Sequence, residues 1–264
     1  MFDYRLNECR FQKYSMESES SSIKVDLHVH SEGSYDCKEP VELILEHADD
    51  TELDAIAITD HNSIEKSLEA KEKAKNYDIT VIPGVEVSTK NGHLLALGVE
   101  TLPEKGKPFM QTVDRIRNLG GVAVVPHPFQ TTRHGVRKSC IDDIDAVEVY
   151  NSWLFTGWKN RKAKKFANEE NYPETAGSDA HSITMVGKAY TEINTVFSDK
   201  EELEYKEILE AIKNGSNHIY GKRKPLHLSA CDYSKAMARK TAWGMRETLF
   251  LPLKIEKMLF KRKK

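Results

Sequence analysis

The sequence predicts an α/β protein in which short, mostly parallel strands close into a barrel. Seven short apolar runs follow one another between residues 23 and 181, and helical patterns separate most of them. Strands that alternate with helices in this way indicate a parallel sheet. Histidine, aspartate and glutamate residues collect at the ends of these runs. The carboxyl ends of the strands carry the chemistry in parallel barrels, so this distribution favours a barrel with a site at one mouth.

The seven predicted strands are seven to nine residues long and rich in Val, Ile, Leu and Ala. They cover residues 23–30, 54–61, 79–87, 93–99, 121–128, 145–151 and 173–181. The fourth strand opens with a histidine, His93, whereas the other strands have their polar residues at or after their ends. We therefore expect the fourth strand to run opposite to its neighbours or to enter the sheet through a bend.

Five segments around these strands are predicted to be helical. They cover residues 40–50, 63–77, 111–121, 153–171 and 199–214. Pro40 stands at a favoured first helical position, and Ser63 is a suitable N-cap for the second helix. The third segment ends in two glycines, which commonly stop a helix.

The chain is predicted to divide into three parts. Residues 1–22 are polar and read as a loose leader. Residues 23–220 form the barrel domain. Residues 221–264 form a basic extension, which from residue 222 carries thirteen Lys and Arg against three acids. Apolar residues at helical spacing after Pro252 predict that it is helical, and it either docks on the barrel, lies on an anionic membrane or contacts nucleic acid.

The composition is that of an ordinary globular protein, with 39% hydrophobic and 30% charged residues. A net charge of -2 gives no overall attraction to nucleic acid or membranes. The N-terminus has no signal-peptide pattern, and the four cysteines lie far apart without a CxxC motif. These features predict a cytoplasmic protein without a disulfide framework, and they leave the oligomeric state open.

The first strand ends with two histidines that are one residue apart. Alternation along the strand places His28 and His30 on one face and Val25, Leu27 and Val29 on the other. Nine residues with imidazole or carboxylate side chains, nearly all at strand ends, are candidate metal ligands: His28, His30, Asp36, His61, Glu86, His93, His127, Asp179 and His181. Zinc, manganese and iron prefer such ligands, so the pattern predicts a metal centre.

The same motifs resemble those of a known family. The segments "DLHVHS", "ITDHN", "PGVEVS", "GHLLALG", "PHPF" and "AGSDAH" occur in this order between about residue 24 and residue 195. They are similar to the motifs of the PHP (polymerase and histidinol phosphatase) superfamily. This resemblance implies a distorted (β/α)7 barrel that holds two or three divalent ions, namely Mn, Zn or Fe, at its mouth.

The resemblance also implies how the nine ligands are shared. One ion would take His28, His30, Glu86 and Asp179. Glu86 would bridge to a second ion that is completed by His93 and His127. A third ion would take Asp36, His61 and His181.

The function implied is a metal-dependent phosphoesterase that hydrolyses a phosphomonoester or a phosphodiester by a metal-bound hydroxide. A nucleotide or a single-stranded nucleic-acid end is an expected substrate. The alternative is a non-catalytic module, braced by metal, that binds nucleic acid or a membrane surface. Only 33 residues separate His93 from His127, which leaves no room for a lid domain and predicts an open site.

The loop after the fifth strand supplies further candidates. Arg133 and Arg137 are suited to phosphate contacts, and His134 is suited to protonating a leaving oxygen. The alternative is that this is a solvated basic loop. Asp60 either orients a ligand or caps the following helix.

Five other positions complete the prediction. Asn151 either faces the site or caps the next segment. Lys159, Arg161 and Lys162 are weaker phosphate-binding candidates and read better as a solvated helix face. Cys37 stands where relatives often have glycine, and its thiol is a further possible ligand.

Overall fold

The computed structural model describes residues 22–153, 157–194, 203–215 and 217–223. Residues 1–21 of the predicted leader and residues 224–264 of the basic extension lie outside these ranges. Nine strands are present in the described ranges: β1 Ser22–Val29, β2 Ala55–Ile58, β3 Thr80–Ser88, β4 His93–Leu97, β5 Val122–Val125, β6 Ala146–Asn151, β7 Glu174–Gly177, β8 Ala189–Asn194 and β9 Asn217–Gly221. The α-helices of the same ranges are α1 Val41–Asp50, α2 Glu65–Lys73, α3 Phe109–Asn118, α4 Gly157–Glu170 and α5 Tyr205–Asn214.

The strands form one sheet in the order β7-β6-β5-β4-β3-β2-β1-β8-β9. A parallel bridge between Val29 and Ala180 brings the segment after β7 against the end of β1. The His30 amide donates to the Ala180 carbonyl at 2.9 Å at this junction. The sheet is therefore a nearly closed barrel, which confirms the predicted fold class.

All seven predicted strands are present, but two strands were missed. β8 follows β7 and pairs antiparallel with β1, and β9 pairs antiparallel with β8. Along β8, buried Ala189, Thr191 and Ile193 alternate with more exposed residues, so its apolar content is too low to mark it as a barrel strand.

The fourth strand runs as one of the two predicted alternatives. β4 pairs antiparallel with both β3 and β5. In this register His93 lies opposite Ser88, the last residue of β3. Reversal of the strand therefore brings a strand-opening residue to the same mouth as the carboxyl ends of the parallel strands.

The prediction for the apolar face of β1 was partly wrong. Val25 and Leu27 pack in the barrel interior with residues such as Ile82, whereas Val29 packs in a different cluster with Ile44 of α1. The pairing of β1 with β2 shifts register between Asp26 and Val29. This irregularity changes the phase of the strand, as β-bulges do, just before the two histidines.

The end of the barrel opposite the histidines is closed by α5. Ile208, Leu209 and Ile212 of this helix belong to the interior cluster. The Thr80 hydroxyl at the start of β3 donates to the Leu203 carbonyl, just before α5, at 3.2 Å. The barrel interior is therefore apolar at this end, whereas the predicted ligands lie at the other mouth. No helix within the described ranges is long and apolar enough to cross a membrane.

Candidate metal centre

The nine predicted ligands meet at one mouth of the barrel, and they differ in burial. Six are buried: His28, His30, Glu86, His93, His127 and Asp179. Three are partly exposed: Asp36, His61 and His181. We call the first set the inner ligands and the second set the outer ligands. The outer ligands are the three residues that the resemblance assigns to one ion.

Glu86 lies at the centre of the cluster, and its two oxygens face different imidazoles. Oε1 lies 2.7 Å from His93 Nδ1 and 3.1 Å from His127 Nε2. Oε2 lies 3.0 Å from His61 Nδ1 and 3.4 Å from His30 Nε2. A carboxylate placed in this way can bridge two cations.

His28, in β1, and His30, directly after it, point their Nε2 atoms at each other across 3.1 Å. Each ring has a partner on its other nitrogen: His28 Nδ1 lies 3.1 Å from Glu148 Oε1, and His30 Nδ1 lies 3.0 Å from Ser34 Oγ. When both Nδ1–H groups donate to these acceptors, both Nε2 atoms carry lone pairs. Two lone pairs at this distance repel unless a cation lies between them, so this geometry fits a metal ion.

Asp179 and Asp36 complete the cluster from two sides. Asp179 Oδ1 lies 3.4 Å from His30 Nε2 and 3.7 Å from His28 Nε2. Asp36 Oδ2 lies 3.2 Å from His181 Nε2 and 3.6 Å from His61 Nε2. Among the described residues, Asp36 Oδ1 has no hydrogen-bond partner although it is buried. A buried carboxylate oxygen without a donor fits a cation ligand.

The ligand atoms form overlapping groups. Four combinations have all their ligand atoms within 4.8 Å of one another: His30, His61 and His181; His28, His30 and Glu86; His28, His127 and Asp179; His61, Glu86 and His93. These groups cut across the three sets that the resemblance implies. The predicted ligands are thus brought together, and the number of ions and their sharing remain a prediction.

Charge and burial shift the pKa values of the cluster in opposite directions. Burial alone would raise the pKa of Glu86, but the imidazoles of His93 and His28 hold it well below its usual range. Burial, together with the neighbouring His181, lowers the pKa of His30 to about 3. Burial opposes protonation of His61 too, but the carboxylates of Asp36 and Glu86 raise its pKa to about 10. Glu86 is therefore ionised, and the imidazoles of His30 and His61 differ in proton affinity.

A residue that the sequence analysis missed, Glu148 of β6, holds several ligands in place. Its Oε1 faces His28 Nδ1, and its Oε2 accepts from the His127 amide at 2.7 Å and from Asn151 Nδ2 at 2.9 Å. The residue is only 2% exposed. The signal was available in the sequence, because Glu148 is an acid flanked by valines inside an apolar strand.

Glu148 can approach His28 only because Gly177 has no side chain. A Cβ atom at Gly177 would lie 2.5 Å from His28 Cβ and 2.6 Å from Glu148 Oε1. Both distances are far below van der Waals contact. The last residue of β7 therefore has to be glycine for this pair to form.

Asn151 and Asp60, for each of which the sequence left two roles open, lie beside the predicted ligands. Asn151 Nδ2 donates to Asp179 Oδ2 at 3.2 Å and so orients this ligand. Asp60 accepts from the amide and hydroxyl of Ser31 at 2.7 and 2.5 Å, and it also accepts from Ser34, which contacts His30. Since α2 begins at Glu65 with Ile64 as its N-cap, the proposed capping role of Asp60 was wrong.

Two ligands adopt backbone conformations that are unusual for residues with a side chain. His127 has φ 30° and Asp179 has φ 52°. Positive φ values are uncommon outside glycine and cost free energy, so they persist where the surrounding structure enforces them. The Glu148 contact with the His127 amide is one such constraint.

The loop after β5 lies beside the ligands. His134 and Arg137 line a cleft of about 380 Å³ together with His61 and His93. Partial burial, followed by the effect of His93, lowers the pKa of His134, which opposes a role as proton donor near neutral pH. The side chain of Arg133 lies outside the described part of the structure.

The weaker basic candidates lie on α4. The Lys159 ammonium stands 4.7 Å from the Trp158 ring, and the Lys162 ammonium stands 4.7 Å from the Phe129 ring. Arg161 is exposed on the same helix. These contacts agree with the helix-face interpretation.

The Cys37 thiol does not fit a ligand. It is buried and donates to the His30 carbonyl at 3.3 Å. Burial raises its pKa to about 11, whereas metal binding requires the thiolate. Its contribution is to tie the loop after β1 to the strand.

The mouth has no inserted domain between the fourth and fifth strands. Residues 98–121 contain α3 and its connecting turns. This agrees with the absence of a lid domain that the spacing of His93 and His127 predicts.

Comparison with known proteins gives concordant matches. Residues 157–217 match the family profile described as PHP-associated. Two Methanocaldococcus jannaschii proteins, both called uncharacterized, are similar in sequence. MJ0417 is 30% identical over 200 residues, which cover 72% of this chain and 79% of that protein. MJ1587 is 31% identical over 152 residues, which cover 53% of this chain and 89% of that protein.

A solved structure shares the fold. It is a two-domain protein from Bacteroides vulgatus that contains a predicted PHP-like metal-dependent phosphoesterase. It superposes with a TM-score of 0.63 at 19% identity and covers 76% of this chain. The chain spans 65% of that protein's length.

Proposed function

The chain belongs to the PHP superfamily, and on this premise we propose that it is a metal-dependent phosphoesterase. One observation carries the proposal most strongly. Glu86 places one oxygen toward His93 and His127 and the other toward His30 and His61, at distances of 2.7 to 3.4 Å. An ionised carboxylate shared between two groups of imidazoles is suited to hold a pair of divalent ions.

The residues present fit two or three ions of Mn, Zn or Fe. All nine candidates offer nitrogen or oxygen atoms, which suit each of these metals. The opposed Nε2 atoms of His28 and His30 support cation binding, and so does the Asp36 oxygen, which has no hydrogen-bond partner among the described residues. Divalent ions bound here would lower the pKa of a water molecule and take up charge on phosphoryl oxygens.

The chain's own side chains would position the substrate and the ligands. Glu148 and Ser34 hold the Nδ1 sides of His28 and His30, so the Nε2 atoms face the reaction site. Asn151 holds Asp179. Arg137 lines the cleft beside His61 and His93, where its guanidinium can pair with a phosphate.

We extend the proposal to substrates that include a nucleotide or a single-stranded nucleic-acid end. The supporting observation is the connection between β4 and β5, which adds no domain over the mouth. A polymer end can reach such a site, whereas a lidded pocket would favour a small free molecule.

The test is turnover of an aryl phosphate by freshly purified protein with added manganese. We expect hydrolysis that a chelator abolishes. His28→Ala and Asp179→Ala should abolish turnover, because each removes an inner ligand, while a distant change, Glu104→Gln, should leave it intact. Turnover that survives either ligand change, or no turnover of any phosphoester with any of the three metals, would contradict the proposal.

A further inference from the structure

We propose that Tyr35 is a specificity-determining residue that selects phosphoesters whose alcohol portion carries a planar aromatic ring. This inference rests on the proposed function and adds the chemical class of the group next to the phosphate. Tyr35 lies in the loop after β1, one residue before the predicted ligand Asp36.

The position of the Tyr35 ring is the first observation. Its centroid lies 5.0 Å from the His61 ring with an angle of 22° between the planes, so the two rings stack. The residue is nevertheless 81% exposed, more than any other large hydrophobic residue in the described ranges. The stack on His61 orients the ring at the mouth while most of its surface remains open to solvent.

The cleft beside the ligands supplies the second observation. Tyr35, His61, His93 and His134 all line it. His134 stacks on His93 at 5.0 Å between centroids with an angle of 27°. The predicted ligands His61 and His93 are therefore each stacked against a second ring, and both second rings line the same cleft.

These two observations define where the rest of the substrate would lie. A phosphate held near His61 and His93 leaves its alcohol portion in the cleft, beside Tyr35. A planar ring there can stack on the tyrosine, whereas a puckered ring of equal size cannot make the same contact. Aromatic pairs of this kind change affinity by about two- to tenfold beyond simple burial.

The experiment compares two ligands of which one carries a planar aromatic ring and the other a puckered saturated ring. Benzylphosphonate and cyclohexylmethylphosphonate are close in size and cannot be hydrolysed at their C–P bond by a phosphoesterase. Their dissociation constants are measured by calorimetry on manganese-loaded protein. We expect the wild type to prefer the benzyl compound and Tyr35→Ala to reduce this preference about two- to tenfold. Tyr35→Phe should retain the preference, because it keeps the ring.

Two controls separate selectivity from damage to the site. Tyr220→Ala removes an exposed aromatic residue on β9 and should leave the preference unchanged. The manganese content of Tyr35→Ala should equal that of the wild type. The inference is overturned when the wild type shows no preference, when neither compound binds, or when Tyr35→Ala weakens both compounds equally.

Failure of the proposed function would look different. Hydrolysis of benzyl phosphate is assayed on the same preparations. Selective phosphonate binding without hydrolysis would contradict the phosphoesterase proposal and leave the stacking inference supported. Hydrolysis with a preference that Tyr35→Ala does not change would support the enzyme and overturn the inference.

Discussion

The inner and outer ligands occupy the same mouth but are held in different ways. His28, His30 and Asp179 each have a second partner, namely Glu148, Ser34 and Asn151. Among the outer ligands, His181 contacts the Asp179 carbonyl at 2.9 Å, but Asp36 has one oxygen without a partner in the described ranges. These three inner ligands are therefore each oriented by a second side chain, whereas Asp36 lies in the loop after β1 with one oxygen that accepts no hydrogen bond from a described residue.

This difference has a consequence for metal binding. Partners that orient a ligand typically contribute ten- to hundredfold in metal affinity. We therefore expect the inner ligands to bind their ions more tightly than the outer ligands bind theirs. The following four predictions test this comparison, beginning with the largest effect.

Replacing the bridging carboxylate should have the largest effect. Glu86→Gln keeps the size of the side chain but removes the charge that faces both groups of imidazoles. We expect phosphoesterase activity to fall by more than about a hundredfold, beyond the effect of losing an orienting partner. Steady-state kinetics and metal content measure this. The surface variant Glu104→Gln is the matched control, and equal activity of the two variants would refute a central role for Glu86.

Replacing Glu148, which contacts His28 and the His127 amide, should have the second-largest effect. In Glu148→Gln the side chain keeps its shape but its amide can no longer accept at both ends, so His28 and the His127 amide cannot both be satisfied. Metal affinity should fall about ten- to hundredfold while the nine ligands stay in place. Competition with a chromophoric chelator measures the affinity. An affinity equal to that of the wild type would show that the barrel holds His28 without this contact.

Replacing an outer ligand should have a smaller effect. In Asp36→Asn the charge that faces His61 and His181 is lost, but none of the inner contacts changes. We expect about one metal ion per chain fewer and a loss of activity nearer tenfold than a hundredfold. Elemental analysis of the purified variant reports the metal content. Loss of all bound metal would show that inner and outer ligands act as one unit.

A change of one pH unit should have the smallest effect, and it acts on the stability of the protein without metal. His61 has a folded pKa of about 10 against 6.5 unfolded, so the folded state binds more protons between these values. The contribution of His61 to the free energy of unfolding should therefore be fully present below pH 6.5 and fall as the pH rises toward 10, by at most about 1.4 kcal/mol per pH unit. Urea unfolding in a chelator measures it.

Asp36→Asn removes one cause of this shift and should flatten the dependence. His30 predicts the opposite sign in acid, because its folded pKa of about 3 lies below the unfolded value of 6.5. The contribution of His30 to the free energy of unfolding is therefore lost as the pH falls from 6.5 to 3. If the free energy of unfolding of Asp36→Asn changed with pH above pH 7 as steeply as that of the wild type, His61 would not be the cause of the pH dependence.

The convergence of the nine candidate ligands could be predicted from the sequence because strand-end position and residue type are local properties. His93 also indicated the reversed direction of β4, since a polar residue opens an apolar run there. The supporting contacts were harder to predict, because Glu148 and Ser34 meet their histidines only after the strands assemble. The register shift in β1, which separates Val29 from Leu27, likewise arises from pairing with β2 and has no local signal.

Gly177 offers a way to interpret the evolution of related chains. A single methyl group there would collide with both His28 and Glu148. A related chain could thus keep all nine candidate ligands and still lose the contact between His28 and Glu148 through one substitution at a position that contacts no ion. Inspection of this glycine would therefore separate chains that keep the support of the site from chains that keep only its motifs.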